Sequence, residues 1–511
     1  MKEEILSSIL EIRKQLGMSQ RVPEITRVRG VNGNLLIECE DRADKSIIIG
    51  TGGWVVGKLS SQLDYKGIRV ESRLDNIMKV RGLIGSLREL EHINNAHFKE
   101  FARAVLLEEE SPKPINAYVI GEEMIWACGF LNGLGSSSTL LHTEFLHDNV
   151  KREYEKTDFV KIDCPTTPYD ERIECLMDHI DEQEDGNIFF GFFDAPIVEK
   201  DNNIMVNPYF FFKISHWEAK MHAKKKYWPK VFKASDHNRK FYIRKILDMT
   251  YDGLIEPNDA ASTIYHHWPT EESDLDLDRD CAGEFISEYR VANALKRAKK
   301  TSPQAYRALV GGSDGLEDIK AGIAWSGGID STACIRLSRK LGLDPDLITV
   351  CLPYLDMESM EAQAGVLGAN LIKLDTPEDF EEVCQKVSEG NIHPCGQCSS
   401  LIEGAILEYA NENMYDIIIF GDMLSTGSQS VVQEGELSIL NLPAALSLPK
   451  RDLIESSGIM PTYEFGCPLL KEAHRMYKSA KRISIQRVLR ELRAQMLDKR
   501  FAYGLIEDIM E

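Results

Sequence analysis

Ile319-Lys320-Ala321-Gly322-Ile323-Ala324-Trp325-Ser326-Gly327-Gly328-Ile329-Asp330-Ser331-Thr332 is the stretch on which the reading of this chain turns. The segment ending at Trp325 is short and apolar enough for a buried strand, and Thr332 to Arg339 carries helical spacing. Between them, two glycines let the backbone approach an anion with no Cβ in the way. Ser326 and Ser331 offer hydroxyl donors, and a helix N-terminus adds free N–H groups with a positive dipole end. Together these groups form a seat for phosphate oxygens. Asp330 cannot bind phosphate itself; it would hold Mg²⁺ between phosphates or orient the loop. A plain Gly-Gly turn is the simpler reading, and the strand–loop–helix setting argues against it. No Gly-Lys-Ser/Thr follows, so this is not a Walker loop.

Outward from the loop, residues 301–511 alternate apolar runs with helical patterns, the signature of a parallel sheet. The strands are expected at 321–325, 347–352, 370–374 and 416–420, with a long basic helix near 470–500. Three cysteines stand out in this region. Cys395-Gly396-Gln397-Cys398 lies in a loop expected to open a helix at Leu401, and Cys467 lies in Glu464-Phe465-Gly466-Cys467-Pro468. A CxxC pair brings two thiolates to one metal from a single turn. A [4Fe–4S] cluster held by three thiolates keeps one iron open. A zinc site completed by His393 or His474, or a redox dithiol, remains an alternative.

Ser326-Gly327-Gly328-Ile329-Asp330-Ser331 resembles the PP-loop of the N-type ATP pyrophosphatases, a family that cleaves ATP between the α and β phosphates and transfers AMP to an oxygen. The resemblance implies a Rossmann-like, five-stranded parallel sheet with ATP at the C-terminal strand ends. It implies ATP contacts from Ser326, Gly327, Gly328, Asp330 and Ser331, with Gly421 and Asp422 as a second element after strand 416–420. Thiolating members carry Gly-His-Asn-x-Asp-Asp there; this chain reads Gly421-Asp422-Met423-Leu424-Ser425 instead. Lys450 matches a lysine that follows a family stretch found here as Asn441-Leu442-Pro443-Ala444. The cysteines are arranged as in iron–sulfur-dependent tRNA thiolases, which implies Cys395, Cys398 and Cys467 as ligands of a [4Fe–4S] cluster.

Near the N-terminus, Ile49-Gly50-Thr51-Gly52-Gly53-Trp54-Val55-Val56 resembles the signature loop of type II KH domains. That resemblance implies nucleotide backbone held at Gly50, Thr51, Gly52 and Gly53. A structural α+β unit with a glycine-rich turn is the alternative, and Thr51 stands where a basic residue is usual. The surrounding pattern is a helix at 2–16, two strands near 25–30 and 34–39 joined by a hairpin, a helical stretch and a strand from Gly67.

Charge points the same way. The chain's net charge of −21 disfavours general binding to nucleic acid. Residues 216–245 nevertheless carry 10 Lys/Arg against 2 Asp/Glu, and residues 471–500 carry 10 against 3. Such islands suit local polyanion contact. The first island interleaves Trp217, Tyr227, Trp228, Phe232, Phe241 and Tyr242, which could stack on bases or pack in a core. Residues 94–300 are otherwise hard to read: Asn187 to Phe193 and Tyr209 to Phe212 look like buried strands, and no internal repeat is visible. Eleven cysteines in 511 residues without regular pairing suggest mostly buried thiols. With no signal-peptide pattern and no span-length apolar run, a cytoplasmic protein is expected.

The fold expected is therefore α/β: a KH-like α+β domain over 1–93, a mixed α/β middle region over 94–300 and a Rossmann-like PP-loop domain over 301–511. The activity expected is tRNA thiolation using ATP, Mg²⁺, a [4Fe–4S] cluster (zinc as alternative) and a sulfur donor, without a membrane; a homodimer is compatible with it. A PP-loop enzyme acting on a small sulfur metabolite, similar to phosphoadenylylsulfate reductase, is the competing expectation.

Overall fold

A computed structural model of the 511-residue chain describes all residues except 19–20, 32–33, 51–52, 64, 66, 110–111, 144–145, 147–150, 165–168, 181–185, 224–235, 269–276, 278–283, 312–315 and 425–429. The described residues group into two compact units. One joins Met1–Asn76 to Asp278–Glu511, and the other is Ile77–Leu277.

In the first unit, helix Lys2–Gln15 precedes strands β1 (Ile25–Val31) and β2 (Asn34–Cys39), helices Arg42–Ile49 and Trp54–Gln62, and strand β3 (Ile68–Ser72). β2 is central, antiparallel to β1 and parallel to β3. Ile5, Ile9 and Ile12, spaced one helical turn apart, bury one face of the first helix against Leu35, Ile37, Val55, Leu59 and Val70.

The second unit holds β4 (Asn116–Ile120), β5 (Ser137–His142), β6 (Thr157–Lys161), β7 (Ile188–Phe190), β8 (Ile197–Lys200) and β9 (Asn203–Val206). They form one sheet in the order β6-β5-β4-β7-β9-β8, parallel except for β8. The mixed α/β region is thus a doubly wound sheet. The expected strand at Tyr209 to Phe212 is instead the short helix Pro208–Phe211, with Pro at its start. Four consecutive apolar residues carry no period, so pattern alone cannot choose between strand and helix there. Within the basic island, Tyr242 is buried with its ring stacked on Phe192, and Lys245 is buried beside Asp194, so this part of the segment is core. Tyr227, Trp228 and Phe232 lie outside the described residues. Cys164 and Cys175 form a disulfide, a pairing the cysteine spacing does not signal; among the described residues, eight further cysteines are free thiols.

Returning to the first unit, the C-terminal sheet comprises β10 (Ala321–Ala324), β11 (Asp346–Val350), β12 (Leu371–Leu374), β13 (Ile417–Phe420), β14 (Val431–Glu434) and β15 (Leu437–Asn441). Its order is β12-β11-β10-β13-β15-β14, five strands parallel and β14 antiparallel. Both faces are covered. Ile417 and Ile419 point into one core with Ile323, Leu347 and helices 329–340 and 357–367. Ile418 points into the other with Ile348, Phe380, Val383, Ile406 and Leu470. Such two-sided burial explains why these strands read as continuous apolar runs. The expected long basic helix is broken into Pro468–Met476 and Ser479–Arg493. No helix among the described residues is long and apolar enough to cross a membrane.

Candidate active site

The Ser326–Ser331 loop leaves the C-terminal end of β10 and runs into helix Ile329–Lys340. Gly327 sits at φ 74°, a conformation that strongly favours glycine. The loop is braced from within. Ser331 Oγ accepts from Ser326 N at 3.3 Å and lies 3.2 Å from Ser326 Oγ, while Trp325 Nε1 donates to Thr332 Oγ1 at 3.1 Å. Ser326 and Gly328 remain exposed. Gly421, at the end of β13, is pressed against the loop helix: a Cβ there would lie 2.9 Å from Ser331 N and 3.0 Å from Asp330 C. Asp330 Oδ1 accepts from Lys450 Nζ at 2.7 Å, which ties the first turn of the loop helix to helix Lys450–Ser457.

Acidic groups gather beside this pair. Asp422 is exposed along the site, yet crowding by protein and the neighbouring Glu403 and Asp330 carboxylates push its carboxyl up to about 6, with Arg487 opposing. Burial, with Asp330 beside it, pushes Glu491 up to about 7, opposed by Lys450 and Arg487. Asp422 and Glu491 are thus carboxylates whose charged forms their surroundings disfavour. Arg487 and Glu491 stand one helical turn apart on helix Ser479–Arg493. Basic residues in that stretch are visible in the sequence, but which of them face the loop is not.

The cysteines occupy the same end of the sheet. Cys395 and Cys398 form the first turn of helix Cys395–Glu412, which begins six residues before the expected start at Leu401. Cys467 is the N-cap of helix Pro468–Met476. All three, with Cys384, pack into the core that also receives Ala324 and Phe420, the last residues of β10 and β13. Tyr354 Oη lies 3.9 Å from Cys398 Sγ. Burial pushes the Cys398 thiol up to about 11, with Cys467, Cys395 and Cys384 adding to it, and burial raises Cys395 against the pull of Arg487. Cys384 had no sequence signal, being a lone cysteine on an amphipathic helix.

His393 and His474 do not complete a ligand set. Ser484 Oγ lies 3.1 Å from His393 Nε2 and 2.7 Å from His474 Nε2. Burial lowers both imidazoles to about 4, so both are neutral. One hydroxyl then donates to one ring and accepts from the other, fixing opposite tautomers. Among the described residues, no group of three or more His, Cys, Asp or Glu is disposed to hold a metal ion. Cys395, Cys398 and Cys467 are soft donors by chemistry alone.

The Gly50 to Gly53 loop is described only at its ends. Gly50 and Gly53 both have positive φ, 73° and 76°, while Thr51 and Gly52 lie outside the described residues. Trp54, which opens the following helix, is 65% exposed. The N-terminal module is tied to the C-terminal part of its unit by ion pairs. Arg297 reaches Asp41 at 2.9 Å and Asp44 at 3.3 Å, Arg493 reaches Asp75 at 3.5 Å, and Arg21 reaches Glu434 at 3.5 Å.

These features define an α/β protein with a glycine loop at the C-terminal end of a doubly wound sheet. The chain belongs to the family of the uncharacterized protein MJ1638 of Methanocaldococcus jannaschii, to which it is 33% identical over 196 residues, 37% of this chain and 75% of that relative. Among solved structures, NAD+ synthetase from Burkholderia pseudomallei is matched at 13% identity over 47% of this chain and 100% of that chain, with a TM-score of 0.19. No protein-family model matches the chain.

Proposed function

We propose that this protein is an ATP-dependent tRNA sulfurtransferase. The observation that carries the reading is the meeting of two chemistries at one end of one sheet. The glycine loop follows β10, and Cys395, Cys398 and Cys467 pack against one face of the same sheet, with Cys398 Sγ 3.9 Å from Tyr354 Oη just beyond the C-terminal end of β11. In this reading the loop's serine hydroxyls and free amides seat the ATP phosphates, and Lys450 holds Asp330 in place across them. Mg²⁺ would be held chiefly by the phosphates themselves, with Asp330 or Asp422 supplying a carboxylate. A nucleobase carbonyl oxygen attacks the α-phosphorus, its bond to the β-phosphate bridge breaks, and pyrophosphate leaves. Hydrosulfide then adds at the activated carbon and AMP departs with the former carbonyl oxygen; no electrons are transferred.

Cys395, Cys398 and Cys467 would hold the [4Fe–4S] cluster, which supplies an open iron for binding sulfide. The N-terminal module, with the Gly50–Gly53 loop and exposed Trp54, would grip the RNA backbone and stack on a base. Mass spectrometry of tRNA nucleosides from cells with and without the gene tests the reading. A thiolated nucleoside missing only in the deletion supports it; unchanged thionucleosides count against it. In vitro, Asp330→Ala should abolish RNA-dependent AMP release while leaving tRNA affinity unchanged.

A further inference from the structure

The middle unit repeats the topology of the C-terminal sheet although the two share no visible sequence repeat. Numbering each sheet's strands in chain order, both run third, second, first, fourth, sixth, fifth, with only the fifth antiparallel. Register agrees as well. Ile197 faces Val206 and Lys200 faces Asn203 in β8–β9, as Val431 faces Leu440 and Glu434 faces Leu437 in β14–β15. Each hairpin leads through an asparagine, Asn207 or Asn441, into a short helix with proline in its first turn. Six residues beyond each asparagine stands a non-glycine residue at positive φ, Lys213 at 53° and Ser447 at 52°. Helices then start at His216 and at Lys450, the residue paired with Asp330.

The first strand of each sheet shows which loop positions are equivalent. Gly121 N donates to Leu141 O at 2.9 Å just as Trp325 N donates to Ile348 O at 2.9 Å. Glu122-Glu123-Met124 therefore stands where Ser326-Gly327-Gly328 stands in the C-terminal sheet. The chemistry of the seat is inverted. Glu122 Oε1 accepts from Thr143 N at 2.5 Å and from Thr143 Oγ1 at 3.0 Å, and both oxygens of buried Glu123 accept from Arg172 Nη2 at 2.8 Å. Aromatic rings fill the neighbourhood, with Trp126 4.6 Å from Tyr209 and Phe192 stacked on Tyr242. Two carboxylates occupy the place of phosphate oxygens, and a phosphate brought there would meet like charge.

We infer that the middle unit is a second copy of the nucleotide-domain topology whose phosphate seat is occupied by its own Glu122 and Glu123 and locked by Arg172, so that this unit takes no nucleotide. The comparison of the two loops rests on the ATP reading of the C-terminal one; the closure of the middle loop does not. The test is photo-crosslinking of the full chain with 8-azido-ATP and Mg²⁺, followed by peptide mapping, for the wild type and for Gly328→Val. Label confined to peptides of 278–511, and reduced at least 20-fold by Gly328→Val, supports the inference. ATP-competable label on peptides from 77–277, in either protein, overturns it. Absence of label anywhere supports the closed middle loop and sinks the ATP reading instead, so the two failures are distinguishable.

Discussion

Two residues at the end of β13 make the sharpest predictions at the scale of single side chains. Gly421 has no room for a Cβ against the backbone of Ser331. Gly421→Val must therefore push the loop helix away from β13, and overpacking of this kind costs about 1–3 kcal/mol. ATP affinity should fall with the melting temperature, and calorimetric titration beside thermal melting reads both; unchanged affinity would separate Gly421 from the nucleotide seat. Asp422 is the opposite case, a group whose charged form the folded protein holds unfavourably. Its carboxyl is raised from 3.8 to about 6 by crowding and by Glu403 and Asp330. The folded state thus binds the extra proton, and stability drains away as pH rises from about 4 through about 6. Asp422→Asn should melt like the wild type near pH 4 and somewhat higher than it at pH 8, with the gap opening between those values. A gap independent of pH would show that Asp422 is not the titrating group. The same substitution should weaken Mg²⁺-dependent ATP binding, the trade between stability and function expected of a ligand site.

At the scale of elements, helix Trp54–Gln62 presents Trp54 to solvent directly after a glycine at φ 76°. An exposed indole contributes little to folding, whereas one stacked base is worth about 1–3 kcal/mol. Trp54→Ala should weaken tRNA binding roughly 5- to 150-fold with the melting temperature unmoved; equal affinity for tRNA would remove this module from the RNA interface. The elements also show where sequence is legible. Strands β10 to β13 lie within two residues of the apolar runs at 321–325, 347–352, 370–374 and 416–420, because strands buried on both faces leave an uninterrupted mark. The hairpin β14–β15 leaves no such mark, its strands of four and five residues being too short for alternation to stand out. The Cys395 helix starts earlier than the pattern suggested because Cys395-Gly396-Gln397-Cys398 lacks apolar spacing, while Pro394 before it is a good helix opener. The loop and cysteines of the candidate site were visible as motifs. The cluster of Asp422, Glu491 and Arg487 was not, since it is assembled from β13 and a helix some 65 residues later, and only the fold brings them together.

At the scale of the whole molecule, the N-terminal module is not an appended bead. Asp75 sits where β3 passes into the next helix, accepts from Ser72 N at 3.0 Å and meets Lys45 at 3.1 Å and Arg493 at 3.5 Å. Lys45 and Arg493 are nearly buried, so their charges depend on that carboxylate. The two cations, with Arg42 behind them, outweigh burial and hold Asp75 well below the usual carboxylate range. A depressed folded value contributes stability that is present above the unfolded value near 3.9 and is lost only as pH falls below it. Asp75→Asn removes this at every pH above about 4 and leaves two cations facing each other, a change that costs about 3–5 kcal/mol for a buried network. Because Arg493 ends the helix that also carries Arg487 and Glu491, the loss should reach beyond the module. Hydrogen exchange in Asp75→Asn at pH 7 should rise in parallel on β2 and on β13, with the wild-type advantage shrinking below pH 4. Faster exchange on β2 alone would confine Asp75 to the module and leave the C-terminal sheet to stand by itself.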